Sequence, residues 1–340
     1  MRLLRTSVVV GALAISSAAH AASYCEAGNT VKFAGLDWES GSFVTEVMKI
    51  IFAKGYGCNV ESVPGTSVVL EHGTVTNDIQ VFAEQWLGRS DTWTEALAAG
   101  KVVNAGRPFV GASEGWFVPD YVVHGDKERG IEASAPDLKS VSQLSETRII
   151  ELFADPEEPT KGRFLNCPSG WSCEGLTTVK LKAYGLDQAY INFRPGTGTA
   201  LDAAIASAYA QGEPILFYYW SPTAVMGKYK LVKLEEPAYS DDCWKDLSSG
   251  NGKHDKACAF PAVDVAYGVS TEFAKAAPEL IEILSKATIP LSQVNETLAY
   301  MADNQSDGAT AAAHFLKTKG DIWSNWVSPD AKAKIEESLK

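Results

Sequence analysis

Two short stretches carry the residues best suited to hold a ligand: Cys167-Pro-Ser-Gly-Trp171-Ser-Cys173-Glu-Gly and Phe217-Tyr-Tyr-Trp220-Ser-Pro222. Each puts a tryptophan where a tight turn would hold it rigidly. Rigid indole faces, set apart from a third, make a cage for a quaternary ammonium cation, which is attracted to the ring quadrupole and has no N–H to donate. Trp86, in Ala83-Glu84-Gln85-Trp86, follows a strand-like run over Ile79–Phe82 and has the same placement as Trp220, at the carboxyl end of a strand. Open α/β sheets bind their ligands at that end.

Trp171 has a second chemistry beside it. Glu174 is expected to open a helix, so the N–H groups of Ser172 and Cys173 point outward from a helix start, which attracts anions. One turn thus offers a cation-binding face next to a carboxylate-binding end, the pairing a zwitterion needs. Three desolvated faces at ~2 kcal/mol each supply roughly 6 kcal/mol, against about 8 kcal/mol for micromolar affinity. Trp38, just beyond the first strand, reads equally as a further wall or as packing against the following helix, and Trp116, beside Glu114 in Glu114-Gly-Trp116, is open in the same way. Trp93, Trp244, Trp323 and Trp326 read as packing or surface aromatics.

Other motifs point elsewhere and more weakly. Gly111-Ala-Ser113-Glu-Gly115 fits a nucleophile-elbow pattern, the basis for an alternative reading as a periplasmic hydrolase. That pattern needs a strand–turn–helix context, whereas the following Trp116-Phe-Val-Pro119 reads as extended. Gly196-Thr-Gly198 follows a strand and opens a helix but lacks the third glycine of a dinucleotide fingerprint, so it reads as an ordinary strand-to-helix turn whose backbone, if functional, would line the cleft and not bind a dinucleotide. Asp155, Glu157 and Glu158 form an acidic loop without the spacing of a calcium loop and read as a solvated turn. No cofactor, metal or catalytic residue is expected.

The elements that must position these residues alternate strand and helix. Strands are expected over Val31–Leu36, Cys58–Val63, Ile79–Phe82, Tyr190–Phe193 and Ile215–Tyr219. Helices are expected over Phe43–Lys54, with Ser42 as N-cap and Gly55 as stop, over Glu174–Ala183 and Thr199–Gln211, and through most of the chain from Glu272. Asp155–Arg163 and Glu235–Asp255 read as irregular. Such units build parallel sheets flanked by helices, and 340 residues suggest two domains. The fold class expected is α/β, in two lobes with a ligand cleft between them.

The first residues fix the compartment. Met1-Arg2-Leu3-Leu4-Arg5 is basic, Val8–Ile15 is apolar but far shorter than the ~20 residues that span a bilayer, and Ala19-His-Ala21 supplies small residues for cleavage. Residues 1–21 are therefore expected to be a signal peptide and the mature protein periplasmic. Losing Arg2 and Arg5, two of 30 basic residues, takes the net charge from −12 to −14. An acidic surface argues against nucleic acid and anionic membrane as partners. The six cysteines, an even count in an exported chain, read as disulfides. Six allow 15 pairings; spacing favours neighbours, giving Cys25–Cys58, Cys167–Cys173 and Cys243–Cys258.

On these motifs the chain resembles the glycine betaine-binding proteins of ABC importers, the ProX and OpuAC-like family. The similarity is strongest from Leu152-Phe153 through Cys167–Gly175 to Lys182-Ala-Tyr-Gly-Leu186, and Phe217–Pro222 and Tyr267-Gly-Val-Ser-Thr271 extend it. The resemblance implies a type II periplasmic binding fold closing on a trimethylammonium group. It implies a box of tryptophans at Trp86, Trp171 and Trp220, carboxylate contacts from the backbone of Ser172 and Cys173, and the small disulfide Cys167–Cys173. It also implies that the closed form is read by a membrane permease, with the binding protein a monomer and no enzyme. Lobe one would be 22–112 plus 269–340 and lobe two 113–268. Where closest relatives carry a carboxylate-binding histidine, this chain has Ser90. With Trp116 and Glu114 as extra groups, glycine betaine and trimethylamine N-oxide rank nearly level as ligands, with choline and carnitine behind.

Overall fold

A computed structural model describes residues 23–249 and 252–340; the leader expected over 1–21 lies outside them. No helix among the described residues is long and apolar enough to cross a membrane.

Two five-stranded mixed sheets form the two lobes. In the first, β1 (Thr30–Gly35), β2 (Asn59–Pro64) and β3 (Val81–Trp86) run parallel, while β10 (Val265–Ser270) pairs antiparallel with both β3 and β4 (Val102–Asn104), in the order β2-β1-β3-β10-β4. In the second, β6 (Gly162–Leu165), β7 (Tyr190–Phe193) and β8 (Leu216–Ser221) are parallel; β5 (Ser113–Pro119) is antiparallel to β8 and carries β9 (Leu231–Lys233) at the edge. The parallel strands are connected through helices, as the alternating pattern requires. Because β10 belongs to the first sheet, the return to lobe one precedes Val265, and the boundary expected at 268/269 falls inside that strand.

The strand expected over Ile79–Phe82 runs Val81–Trp86, so Trp86 lies within it, and three helices differ from expectation for local reasons. The first helix spans Glu39–Ile50, followed by a π-helical segment Ile51–Gly55, so Trp38 and not Ser42 is its N-cap. Gly41 allows the early start: a Cβ there would lie 2.6 Å from Trp38 Nε1, so only glycine lets the indole fold over the first turn. The helix expected from Glu174 begins at Ser172, with Trp171 as N-cap. Within the stretch read as irregular, Asp241–Ser248 is a helix, capped by the Ser240 hydroxyl and anchored by buried Trp244 and Leu247.

All three disulfides pair as spacing suggested: Cys25–Cys58, Cys167–Cys173 and Cys243–Cys258. The helices from Thr271 onward pack on the first sheet and its first helix, with Phe43 meeting Phe315 edge-on at 5.5 Å. The other large apolar cluster fills lobe two and continues through Trp171 and Trp220 to Trp38 and Phe82 of lobe one. Apolar packing thus crosses the cleft between the lobes, and the site lies there.

Candidate functional site

Trp38, Trp86, Trp171 and Trp220 line one cavity in the cleft, together with Ser172, Cys173 and Glu114. Trp171 touches Trp38 edge-on with ring centroids 5.5 Å apart, and Trp220 at 5.4 Å. Each indole is fixed by its own element. Trp38 ends the turn after β1, and Trp86 closes β3. Trp171 sits inside the Cys167–Cys173 loop, after Gly170, whose φ of +87° suits glycine. Trp220 lies near the end of β8, stacked on Tyr219 at 4.6 Å.

Contacts across the cleft hold the lobes together. Trp171 Nε1 donates to Asp37 Oδ1 at 3.0 Å, and the Ser172 N–H donates to Ser67 Oγ at 3.0 Å. Gly170 needs to be glycine here for a second reason, since a Cβ would lie 2.8 Å from the Thr66 methyl of lobe one. Gly198, from the Gly196-Thr-Gly198 turn, packs its backbone on Trp171: a Cβ there would lie 3.0 Å from the indole edge. Gly198 therefore lies against the tryptophan, while nothing stands within 4 Å of a Cβ at Gly196.

The charged lining is mostly acidic. Glu114, opposite Trp220 in the β5–β8 register, accepts from Arg89 on one oxygen and from the Tyr218 hydroxyl on the other. Arg89 comes from lobe one and is buried over the Trp244 ring at 4.6 Å, so this ion pair also bridges the lobes. Glu71 accepts from Gln85 at 2.8 Å and from the Ser90 hydroxyl. Glu84 accepts at one oxygen from Trp38 Nε1 at 2.7 Å, Trp86 Nε1 at 2.9 Å and Ser40 Oγ at 3.1 Å. Burial raises the Glu71 carboxyl above its ordinary range and pushes Glu84 to about 7.

Trp116 does not join the site. It is wholly buried in lobe two, with centroids 4.4 Å from Phe164 and 5.4 Å from Tyr184. It shares a strand face with Glu114 but lies two residues, ~6–7 Å, farther from the cleft. Ser90 is likewise committed elsewhere, capping the helix Asp91–Ala98. Trp93, Trp323 and Trp326 are core residues, while Trp244 packs beneath Arg89. Ser113 is exposed at the start of β5, in strand rather than elbow geometry. In the acidic loop, Asp155 is bound by Arg163 at 2.6 Å and by the N–H groups of Glu157 and Glu158.

Glu84, Glu71, Arg89, Ser67 and Tyr218 line the cavity without having been singled out from the sequence. Period-two spacing was the available signal for two of them: Glu84 precedes Trp86, and Tyr218 precedes Trp220, by two residues on a strand.

The match to known proteins agrees with this architecture. The family described as the substrate binding domain of ABC-type glycine betaine transport systems matches residues 29–318. The chain belongs to that family. A relative, the glycine betaine/proline betaine-binding periplasmic protein of Escherichia coli (strain K12), is 25% identical over 263 residues, 74% of this chain and 75% of its own. An ABC-transporter choline binding protein in complex with choline superposes with a TM-score of 0.70 at 17% identity, covering 92% of this chain and 98% of that one. Lactococcal OpuAC, in its closed-liganded conformation complexed with glycine betaine, gives 0.66 at 17%, covering 88% and 100%. These structures share the two-lobed type II periplasmic binding protein fold.

Proposed function

We propose that the chain is the periplasmic substrate-binding component of an ABC importer, capturing a trimethylammonium osmolyte, glycine betaine or trimethylamine N-oxide, in a tryptophan cage. The observation that carries this reading is the convergence of Trp38, Trp86, Trp171 and Trp220 on one cleft cavity with the carboxyls of Glu71, Glu84 and Glu114. Aromatic faces attract a cation that cannot donate a hydrogen bond, and the carboxyls give the cavity the matching sign. The N-terminus of the helix Ser172–Ala183 supplies the partial positive charge for a carboxylate or N-oxide oxygen. Closure brings Trp38 and Trp86 of lobe one against Trp171 and Trp220 of lobe two, so binding and hinge motion are one event. The closed form is what a membrane permease recognises, and the mature protein works as a monomer.

Choline is a second reading, and the charge balance favours it. Among the described residues Arg89 is the one basic residue lining the cavity, and its charge is already paired with Glu114, which disfavours a betaine carboxylate there. Calorimetric titration of the mature protein with glycine betaine, trimethylamine N-oxide, choline and carnitine at one salt concentration tests both. Tight betaine binding means the helix start alone serves the carboxylate. Tight trimethylamine N-oxide or choline binding with weak betaine means the acidic lining sets specificity. No heat from any of the four refutes the osmolyte reading.

A further inference from the structure

We infer that Glu84 is the positioning residue of the tryptophan cage and also its fixed counter-charge: one carboxylate oxygen ties down two walls, and the charge of the carboxylate compensates the bound cation. This rests on the trimethylammonium reading above.

Trp38 and Trp86 arrive from separate segments, one after β1 and one at the end of β3, yet their indole N–H groups meet on the same Glu84 oxygen. Ser40, in the first turn of the helix that Trp38 caps, donates to it as well. Rotation of either indole would break a hydrogen bond to a charged acceptor, so this one side chain sets the angle between two faces. An N–H that donates to a carboxylate also pushes electron density into its ring and makes the face more attractive to a cation.

The second oxygen of Glu84 is buried and has no hydrogen-bond partner among the described residues, and the same is true of the Tyr267 hydroxyl. Both oxygens of Glu71 and of Glu114 are engaged. Among the carboxyls lining the cavity, Glu84 therefore holds the uncommitted oxygen. A carboxylate withdrawn from water without a compensating charge is unfavourable, and its three donors are neutral. The remaining charged or titratable groups are Glu71, Glu114, Arg89 and Tyr218, which line the same cavity, and Tyr267 of β10 beside it. Arg89 is consumed by Glu114. A quaternary ammonium in the cage would provide the missing positive charge through space, which is the only way such a cation can pair with an oxygen.

Proton linkage follows from this arrangement. Burial pushes the Glu84 carboxyl to about 7, so without ligand it is partly protonated near neutrality. A cation favours the ionised form, and binding near or below pH 7 expels a proton. Affinity therefore falls as pH drops through 7 toward 5.5, by at most about tenfold per pH unit.

The test uses glycine betaine and choline, whose charges do not change between pH 5.5 and 8, titrated calorimetrically in buffers of different ionisation enthalpy. Wild-type protein should lose about fivefold or more in affinity between pH 8 and pH 5.5, with proton release at the lower end. Glu84→Gln, close in shape but uncharged, should weaken binding at pH 8 about tenfold and flatten the pH profile to within twofold, whereas Glu71→Gln should keep the slope. A wild-type affinity independent of pH, or a Glu84→Gln profile parallel to wild type, overturns the inference. The wild-type slope and proton release need no variant, so a misfolded Glu84→Gln leaves the test intact. Absence of binding by either ligand at both pH values, with trimethylamine N-oxide and carnitine also giving no heat at pH 8, instead refutes the trimethylammonium reading itself.

Discussion

Replacing Trp171 with alanine removes the wall on which most of the cleft converges. The lost cation–π face is worth ~2 kcal/mol in a desolvated site. The indole N–H bond to Asp37 at 3.0 Å, which crosses the lobes, contributes ~1.5 kcal/mol because its acceptor is a carboxylate. Edge contacts with Trp38 and Trp220 add ~0.5–1.5 kcal/mol each. The bond to Asp37 and the contact with Trp38 cross to lobe one and stabilise the closed form, so they enter the dissociation constant only to the extent that closure is linked to binding; the contact with Trp220 lies within lobe two. Taking the face in full and about half of the cross-lobe hydrogen bond gives ~3 kcal/mol, or about a 100-fold loss of affinity. Trp171→Phe keeps a ring but loses the N–H and should fall about tenfold. Isothermal titration at fixed salt reads both, with thermal melting as a check on folding. A Trp171→Ala protein that melts normally and binds within twofold of wild type would refute the cage. Trp93→Ala is the control: it should cost ~3–5 kcal/mol of stability from a core cavity while leaving affinity within twofold, since Trp93 packs between β10 and Asn104.

Further outcomes follow from the neighbouring contacts. Gly198→Val places branched carbons against the Trp171 edge, where a Cβ alone would sit at 3.0 Å, and should weaken binding about tenfold with little change in melting temperature. Glu114→Gln leaves Arg89 buried without its charge partner in the closed form, so choline should bind more weakly, while betaine, whose carboxylate can take up the released guanidinium, should lose less. Pairing it with Arg89→Met should recover part of the loss, giving a coupling of ~1.5 kcal/mol or more in a double-mutant cycle of affinities. Stability without ligand should fall as pH rises. Glu84 and Asp202 are each pushed by burial to about 7, against ordinary values of 4.5 and 3.8. The folded state therefore holds protons that the unfolded state has released, and their stabilisation is complete below pH ~4 and lost as pH climbs through 7. Each contributes at most ~1.4 kcal/mol per pH unit. Urea unfolding at pH 5, 6, 7 and 8 checks the sign, and Asp202→Asn should flatten the slope. Stability that rises across this range refutes the assignment.

Sequence by itself determined the parts that depend on short-range chemistry. Alternating strands and helices announced two α/β lobes, cysteine spacing announced the three pairs, and turn residues around Trp171 and Trp220 announced where rigid indoles would stand. These signals are local, because periodicity, capping and small loops act over a few residues. Tertiary structure decided everything that depends on which strands become neighbours. Trp116 and Glu114 look alike in sequence, two residues apart on one strand, yet one is core and the other faces the cleft. Arg89 meets Glu114 only because the lobes close, and Glu84 becomes a shared acceptor only because β1 and β3 lie side by side. Trp38 could be wall or packing from sequence alone; Gly41 made room for its ring, and Glu84 turned it into the cavity. A tryptophan's chemistry is written in its type, but its orientation is set by partners far along the chain, and those partners are acids whose burial no local pattern reveals.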